Sequence, residues 1–429
     1  MKSFRVSRGI LLSFLLVVFM TACGGGGDGG NGEGSTINTT TCTNTASDST
    51  QNADGSANLI HSENNGAPTY HIVVTRKKSN GSDVRMDYMV HKAQGVTTPK
   101  ALFVLIAGGS LNAAIESQTG QDGSPVSLAG GNFLVRSAHL IAQQGYRVIT
   151  IDRPGDYVDY NVTHGYDYDP YRTSMDHAVD ITTVINRHNT ENIDVIIAGT
   201  SRGAISAAAN NTLGAGIFLS SPVTSGNGTP VGSASLPVST IQVPVYLLYN
   251  VNDGCSTSTP EGSVDLFKAL VAAGTEISGD AVSGGFYDTV ENQPCRGKSY
   301  HSFLGIESCA VSKITGWADS LLTNMQNAYP DNKRPVAQDL NISVTAGSSN
   351  NPFTISATDL DTADTLTYSV PYNTTVLGGT VTLNADGNGS YTPPSGASGD
   401  IEDSFVFVVS DGKGGTSSAV VRATVGGVI

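Results

Sequence analysis

The chain is short of basic residues. Its 429 residues hold 23 Lys and Arg against 37 Asp and Glu, a net charge of −14. Binding a phosphate backbone needs a basic surface, so nucleic acid is excluded as a partner. No apolar run reaches the about 20 residues that a spanning helix needs. There is no His-Glu-x-x-His, no Cys-x-x-Cys and no glycine-rich phosphate loop ending in Lys. Chemistry that needs a bound cofactor is therefore not expected. Cysteine is scarce, with five in the whole chain.

The N-terminal segment is the basic exception. Lys2, Arg5 and Arg8 precede an apolar stretch from Ile10 to Met20, the pattern of a secretion signal over residues 1–22. Its end, Met20-Thr21-Ala22-Cys23, resembles a bacterial lipobox. That resemblance implies that Cys23 becomes a lipidated N-terminus. Gly24 follows, not Asp, which points to the outer membrane, facing the periplasm or the cell surface. Residues 23–58 are rich in Gly, Ser, Thr and Asn with almost no large apolar side chains. Such a segment cannot bury enough surface to offset its ordering entropy, so a flexible tether is expected. The four remaining cysteines, Cys42, Cys255, Cys295 and Cys309, suit disulfides in an exported chain.

Residues 59–330 alternate strand and helix patterns. Strands are predicted at 70–75, 84–91, 101–107, 147–152, 193–199, 216–220, 243–250 and 278–283. Helices are predicted at 132–144, 171–188, 202–210, 261–273 and 308–328. Short apolar strands alternating with helices imply an α/β domain, a mostly parallel eight-stranded sheet flanked by helices. Its first two strands follow each other without a helix, which suits an antiparallel start. A loop rich in tyrosine, with Tyr157, Tyr160, Tyr166 and Tyr168, is a candidate pocket mouth. Residues 331–334 read as a linker. From 335 to 429 the helix period disappears. Seven short β-rich runs with Gly, Asn and Asp turns imply an all-β sandwich.

The sharpest local signal is Gly199-Thr200-Ser201-Arg202-Gly203. It lies between a buried strand and a small-residue helix. This is the setting in which a serine sits on a strained turn with its hydroxyl exposed. A serine hydroxyl is a weak nucleophile until a base takes its proton. Asp253 falls just past the strand 243–250, and His301 lies between the last strand and the last helix. In the order serine, acid, histidine, these are the candidate orienting acid and general base. Asp288 and Glu291 are the distant rivals for the acid, and His164 is the rival for the base. A tetrahedral intermediate also needs N–H donors where negative charge develops. The amide of Arg202 is one candidate. Gly109, with Gly108 beside it, supplies the other from the loop after the third strand.

These pieces together resemble the α/β-hydrolase superfamily over about 270 residues. The matching segments are Gly108-Gly109, Asn132-Phe133-Leu134-Val135-Arg136, Asp152, the elbow, Asp253-Gly254-Cys255 and His301-Ser302-Phe303-Leu304-Gly305. The chain looks like a group of exported proteobacterial hydrolases. The resemblance implies a lipid-anchored serine hydrolase acting on carboxylic esters, small or polymeric, through an acyl-enzyme on Ser201. A peptidase or polyester depolymerase on the same residues is the enzymatic alternative. A non-catalytic adhesin or scaffold is the other class. If Asp253 and His301 must hydrogen-bond, Cys255 and Cys295 lie close enough to pair. Cys42 and Cys309 are then left for each other.

The last hundred residues resemble bacterial cadherin-like and Ig-like repeats. The segments that carry this are Arg334-Pro335-Val336-Ala337, Asp359-Leu360-Asp361, Leu366-Thr367-Tyr368 and the run from Phe405 to Gly412. Asp359, Asp361 and Asp364 cluster in the sequence, with Asp339 and Asp411 expected at the same end of the sandwich, an oxygen-rich set suited to Ca²⁺ that the resemblance supports. The resemblance also implies a spacing or adhesive role toward a surface or polymer.

Overall fold

Leu102 to Ile106 is apolar without a break, so this strand must be covered on both faces. It forms the buried centre of a sheet described by a computed structural model, which covers residues 37–60, 67–119, 121–128, 131–158, 169–226, 229–397 and 400–426. The strands of this sheet are β1 (Ile37–Thr41), β4 (Thr69–Lys77), β5 (Asp83–His91), β6 (Leu102–Ile106), β9 (Arg147–Pro154), β10 (Val195–Thr200), β11 (Gly216–Ser220), β12 (Val245–Asn250) and β13 (Ile277–Ser283). The short pairs β2 (Thr50–Gln51) with β3 (Ala57–Asn58), and β7 (Ile115–Ser117) with β8 (Val126–Leu128), lie outside it. The order is β1-β13-β12-β11-β10-β6-β9-β5-β4. Pairing is parallel from β1 to β9 and antiparallel at β9–β5 and β5–β4.

Helices cover both faces. α1 (Phe133–Ala142) and α6 (Glu307–Ala328) pack with Phe103 and Leu105 on one side. After the short turn α2 (Asp169–Arg172) come α3 (Met175–His188), α4 (Gly203–Ala209) and α5 (Pro260–Ala272), which pack with Leu102, Val104 and Ile106 on the other. Local chemistry starts these helices. Asn132, Ser174 and Thr259 accept N–H bonds from Leu134, His177 and Gly262, and Pro260 opens α5. Among the described residues no helix is long and apolar enough to cross a membrane.

Among the described residues the sheet has nine strands where eight were expected. The extra strand, β1, comes from the segment read as a tether. Its sequence, Ile-Asn-Thr-Thr-Thr, is polar and it sits at the sheet edge, so it carries no apolar signal. Backbone pairing with β13 holds it, and the Cys42–Cys309 disulfide follows directly. The Asp48 carboxylate accepts the Ser308 N–H at 2.6 Å, which fastens the segment further along. Residues 1–36, including Cys23, lie outside the described residues, as do His164, Tyr160, Tyr166 and Tyr168. Tyr157 is buried and packs edge-on to Tyr171. It belongs to the core and not to a pocket mouth.

The expected sandwich is present. One sheet runs β15 (Leu340–Thr345), β22 (Thr416–Gly426), β21 (Ile401–Ser410), β18 (Thr367–Ser369). The other runs β16 (Asn351–Thr354), β20 (Asn388–Thr392), β19 (Thr380–Leu383). β14 (Val336–Ala337) pairs with β17 (Ala357–Thr358) apart from both. The sandwich packs directly on α3. Met175 Sδ accepts the Val406 N–H at 3.2 Å, and Asn186 Nδ2 donates to Ser418 O at 3.0 Å. Buried Arg334, in the linker, donates to Ile193 O on one side and Thr416 O on the other. One contiguous cluster of buried apolar side chains spans α3, α4 and the sandwich strands.

Near this junction a single guanidinium serves three carboxylates. Arg76 is 3% exposed. It bonds Asp156 at 2.7 and 2.8 Å, Asp176 at 3.0 Å and Asp180 at 3.1 Å. Tyr171 OH donates to Asp180 at 2.6 Å. Burial outweighs the Arg76 charge and lifts the Asp176 carboxyl from 3.8 to about 7. Between those values the folded chain holds a proton that the unfolded chain releases. Stability from this group is therefore complete below about pH 4 and is lost as pH rises toward 7. Asp176→Asn should flatten the fall of Tm between pH 4 and 7 relative to the wild type, measured by scanning calorimetry. Superimposable Tm curves for the two proteins would refute the assignment.

Candidate active site

Glycine on both sides of Thr200-Ser201-Arg202 is a steric requirement. A Cβ on Gly199 would lie 2.0 Å from Gly203 O, and one on Gly203 would lie 2.3 Å from Ile106 O. Strand β10 and helix α4 are thus pressed together, and the turn between them is tight. Ser201 takes up the strain with φ +56°, a backbone region that side chains rarely occupy. Its N–H donates to Ser220 O at 2.9 Å, and its carbonyl accepts the Ala204 N–H at 3.0 Å. The residue is partly exposed while its neighbours in β10 are buried.

Asp253 stands just beyond β12, two strands along from β10 in a parallel sheet. Both loops therefore emerge at the same edge, about 10 Å apart across two strand spacings. The Asp253 carboxylate is fixed twice. Oδ1 accepts the Cys255 N–H at 2.8 Å, and Oδ2 lies 2.7 Å from His301 Nδ1. A carboxylate only accepts, so the Nδ1 proton belongs on the imidazole, and in the neutral ring Nε2 is the acceptor. His301 is 2% exposed, and Nε2 has no hydrogen-bond partner among the described residues. Ser201 Oγ makes no hydrogen bond to it. The rival acids are occupied elsewhere. Asp288 accepts the N–H groups of Ala57, Val290 and Glu291, and Glu291 pairs with Lys298.

Two devices hold the histidine loop. The Cys255–Cys295 disulfide ties the segment after Asp253 to the segment before His301. A buried ion pair does the rest. Arg136 on α1 bonds Glu307 at 2.9 Å and donates to Ser302 O at 2.6 Å and Gly297 O at 3.0 Å. Glu307 in turn accepts the Gly305 N–H at 3.0 Å and the Ser49 hydroxyl at 2.6 Å. Sequence reasoning picked out Arg136 without a role and missed Glu307. Their partnership spans 171 residues and leaves no local pattern.

Gly108 lies against the Ser201 turn. A Cβ there would meet Thr200 O at 2.8 Å and Ser201 Cβ at 3.0 Å. Gly109 has φ +55°, which suits glycine. Asp152 steadies the chain beyond this loop by accepting the N–H groups of Ala113 and Ile115 at 3.0 and 2.9 Å. Arg202 stands at the entry to α4, where helix N–H groups lack partners within the helix. The site thus offers a hydroxyl, a buried acceptor nitrogen braced by a carboxylate, and backbone donors, at one rim of one sheet.

In the sandwich the acidic residues divide. Carboxylate oxygens of Asp359, Asp364 and Asp411 lie within 4.8 Å of one another. Asp339 is elsewhere, accepting the Val420 N–H and pairing with Arg422. Asp361 accepts the Lys333 N–H. Lys413 pairs with Asp364, whose Oδ2 is buried without a partner among the described residues, as is Asp359 Oδ2.

Residues 332–424 match the family model of a bacterial Ig domain. No curated protein matches the chain. Among solved structures it is similar to a brefeldin A esterase described as a bacterial homologue of human hormone-sensitive lipase. Identity there is 12%, over 60% of this chain and 78% of that chain, with a TM-score of 0.38. It is also similar to an esterase from the planctomycete Thermogutta terrifontis, at 16% identity over 62% and 95% of the two chains, TM-score 0.37. A third is the acylaminoacyl peptidase of Pyrococcus horikoshii, at 13% identity over 59% and 41%, TM-score 0.38. An antiparallel start, a parallel sheet covered on both faces and a Gly-x-Ser-x-Gly turn from β10 into α4 define an α/β-hydrolase fold. An Ig-like sandwich follows it.

Proposed function

We propose that this chain is a serine hydrolase that cleaves carboxylic esters through an acyl-enzyme on Ser201. The observation that carries the reading is the 2.7 Å bond between Asp253 and His301, which leaves a buried basic nitrogen at the rim where Ser201 is held in a strained turn. Ser201 Oγ attacks the carbonyl carbon while His301 Nε2 takes the hydroxyl proton. Asp253 holds the imidazole and balances its positive charge. The amides of Arg202 and Gly109 receive the oxyanion. Collapse expels the alcohol, which leaves with the proton from His301. Water then repeats the sequence and frees the acid. Ester is chosen over amide by analogy with other proteins of this fold.

Ser201→Ala should abolish labelling by a fluorophosphonate probe and lower hydrolysis of p-nitrophenyl esters by roughly 10⁴–10⁶. Equal turnover by the mutant would remove Ser201 from the mechanism. Peptide cleavage without ester cleavage would select the peptidase reading. An unlabelled wild type would select the non-catalytic scaffold.

We propose further that the chain is exported and anchored in the outer membrane through a lipid on Cys23. Two disulfides within the described residues support an oxidising compartment. Mass spectrometry of the mature N-terminus should find an acylated Cys23. A free N-terminus at any other residue would refute the anchor.

For the sandwich we propose a Ca²⁺ site at Asp359, Asp364 and Asp411. An all-oxygen donor set suits that ion, and two buried carboxylate oxygens there lack partners. Lys413 has to yield Asp364 for the ion to enter. Excess Ca²⁺ should raise the Tm of the whole protein, and EDTA should reverse the shift. An unchanged Tm would count against the site.

A further inference from the structure

The two glycines at the proposed oxyanion donor raise a mechanical problem. Gly108 and Gly109 have no side chains to hold their peptide planes, and glycine backbones rotate freely. A donor that is not held in advance has to be ordered during the reaction, which forfeits much of its effect. Something outside the loop must fix it.

Arg172 meets that need. Its side chain is completely buried at the end of α2. Nη2 donates to Ala107 O at 3.3 Å and to Gly109 O at 3.1 Å, while Nη1 donates to Ser206 Oγ at 2.8 Å. The carbonyl between them, Gly108 O, accepts the Leu111 N–H at 3.1 Å. Three successive peptide planes are therefore pinned, and the Gly109 N–H lies in the middle one. Ser206 belongs to α4, the helix that Ser201 leads into. One guanidinium thus ties the donor loop to the nucleophile's helix.

We infer that Arg172 is a positioning residue, setting the direction of the Gly109 N–H relative to Ser201. The inference rests on the serine-hydrolase reading. Arg172 touches no reacting atom and acts through the loop. A planar fork with fixed donor directions suits this task, and a lysine ammonium cannot reproduce it.

The test compares Arg172→Lys with the wild type, counting active sites with a fluorophosphonate. A positioning role lowers kcat per titrated site by about tenfold to a hundredfold. KM on p-nitrophenyl esters should stay within about threefold, because the lost interaction belongs to the transition state. A purely structural role would lower Tm and the fraction of titratable sites while leaving kcat per site unchanged. If Arg172→Lys does not fold, Ser206→Ala takes its place, since it removes one acceptor that orients the guanidinium. Its kcat per site should fall several-fold with KM unchanged. A labelled wild type whose variant keeps full kcat per site overturns this inference alone. An unlabelled wild type overturns the hydrolase reading and this inference with it.

Discussion

One short hydrogen bond organises the site. Asp253 and His301 are 48 residues apart and meet at 2.7 Å, both almost fully buried. The bond is worth having only if both loops arrive in register, and several structures serve that end. The disulfide binds the flanks of the two loops. On the chain-entropy account, closing a loop of about forty residues contributes about 4 kcal/mol. The Arg136–Glu307 pair clamps the carbonyl of Ser302 and the amide of Gly305, on either side of a backbone that turns through positive φ at Phe303. Breaking such a buried pair by removing one partner typically costs about 3–5 kcal/mol. The imidazole is held by a frame that reaches back to Ser49.

The Ser201 side is built on the opposite principle. There the chain is brought close by leaving side chains out. Gly199 and Gly203 let β10, α4 and β6 touch backbone to backbone, and Gly108 lets the next loop lie against Ser201. Closeness through glycine gives no stiffness of its own. Stiffness comes from outside, from the buried fork of Arg172 and from Asp152. A strained serine between two glycines persists because its surroundings over-determine it.

This division explains what could be read from the sequence. The elbow, Asp253 and His301 were legible because each sits at a fixed place relative to a strongly apolar strand or a helix pattern. The eight apolar strands were legible for the same reason, as were the seven strands of the sandwich. Strand β1 was not, since Ile37-Asn38-Thr39-Thr40-Thr41 pairs through backbone alone and has the composition of a linker. Arg172, Glu307 and the Arg76 cluster were also hidden. Buried charges carry no periodic signal, and their partners lie tens to hundreds of residues away. Among the sandwich carboxylates, Asp359, Asp364 and Asp411 converge, whereas Asp339 lies at the β15–β22 pairing with Arg422.

A spacing or adhesive role was expected of the sandwich, and its contacts add a structural one. It covers α3 with a shared apolar core, and Tyr372 OH donates to Ala209 O at the end of α4. The chain that enters α3 carries Arg172 three residues before Met175, whose sulfur accepts a sandwich N–H. The two supports around Ser201, α4 and the α2–α3 segment, are therefore each backed by the sandwich. An apolar helix face of this kind needs a cover to stay folded in water. Here the Ig-like strands supply it, so the packing behind the Gly108–Gly109 loop and the Ser201 turn comes in part from the sandwich.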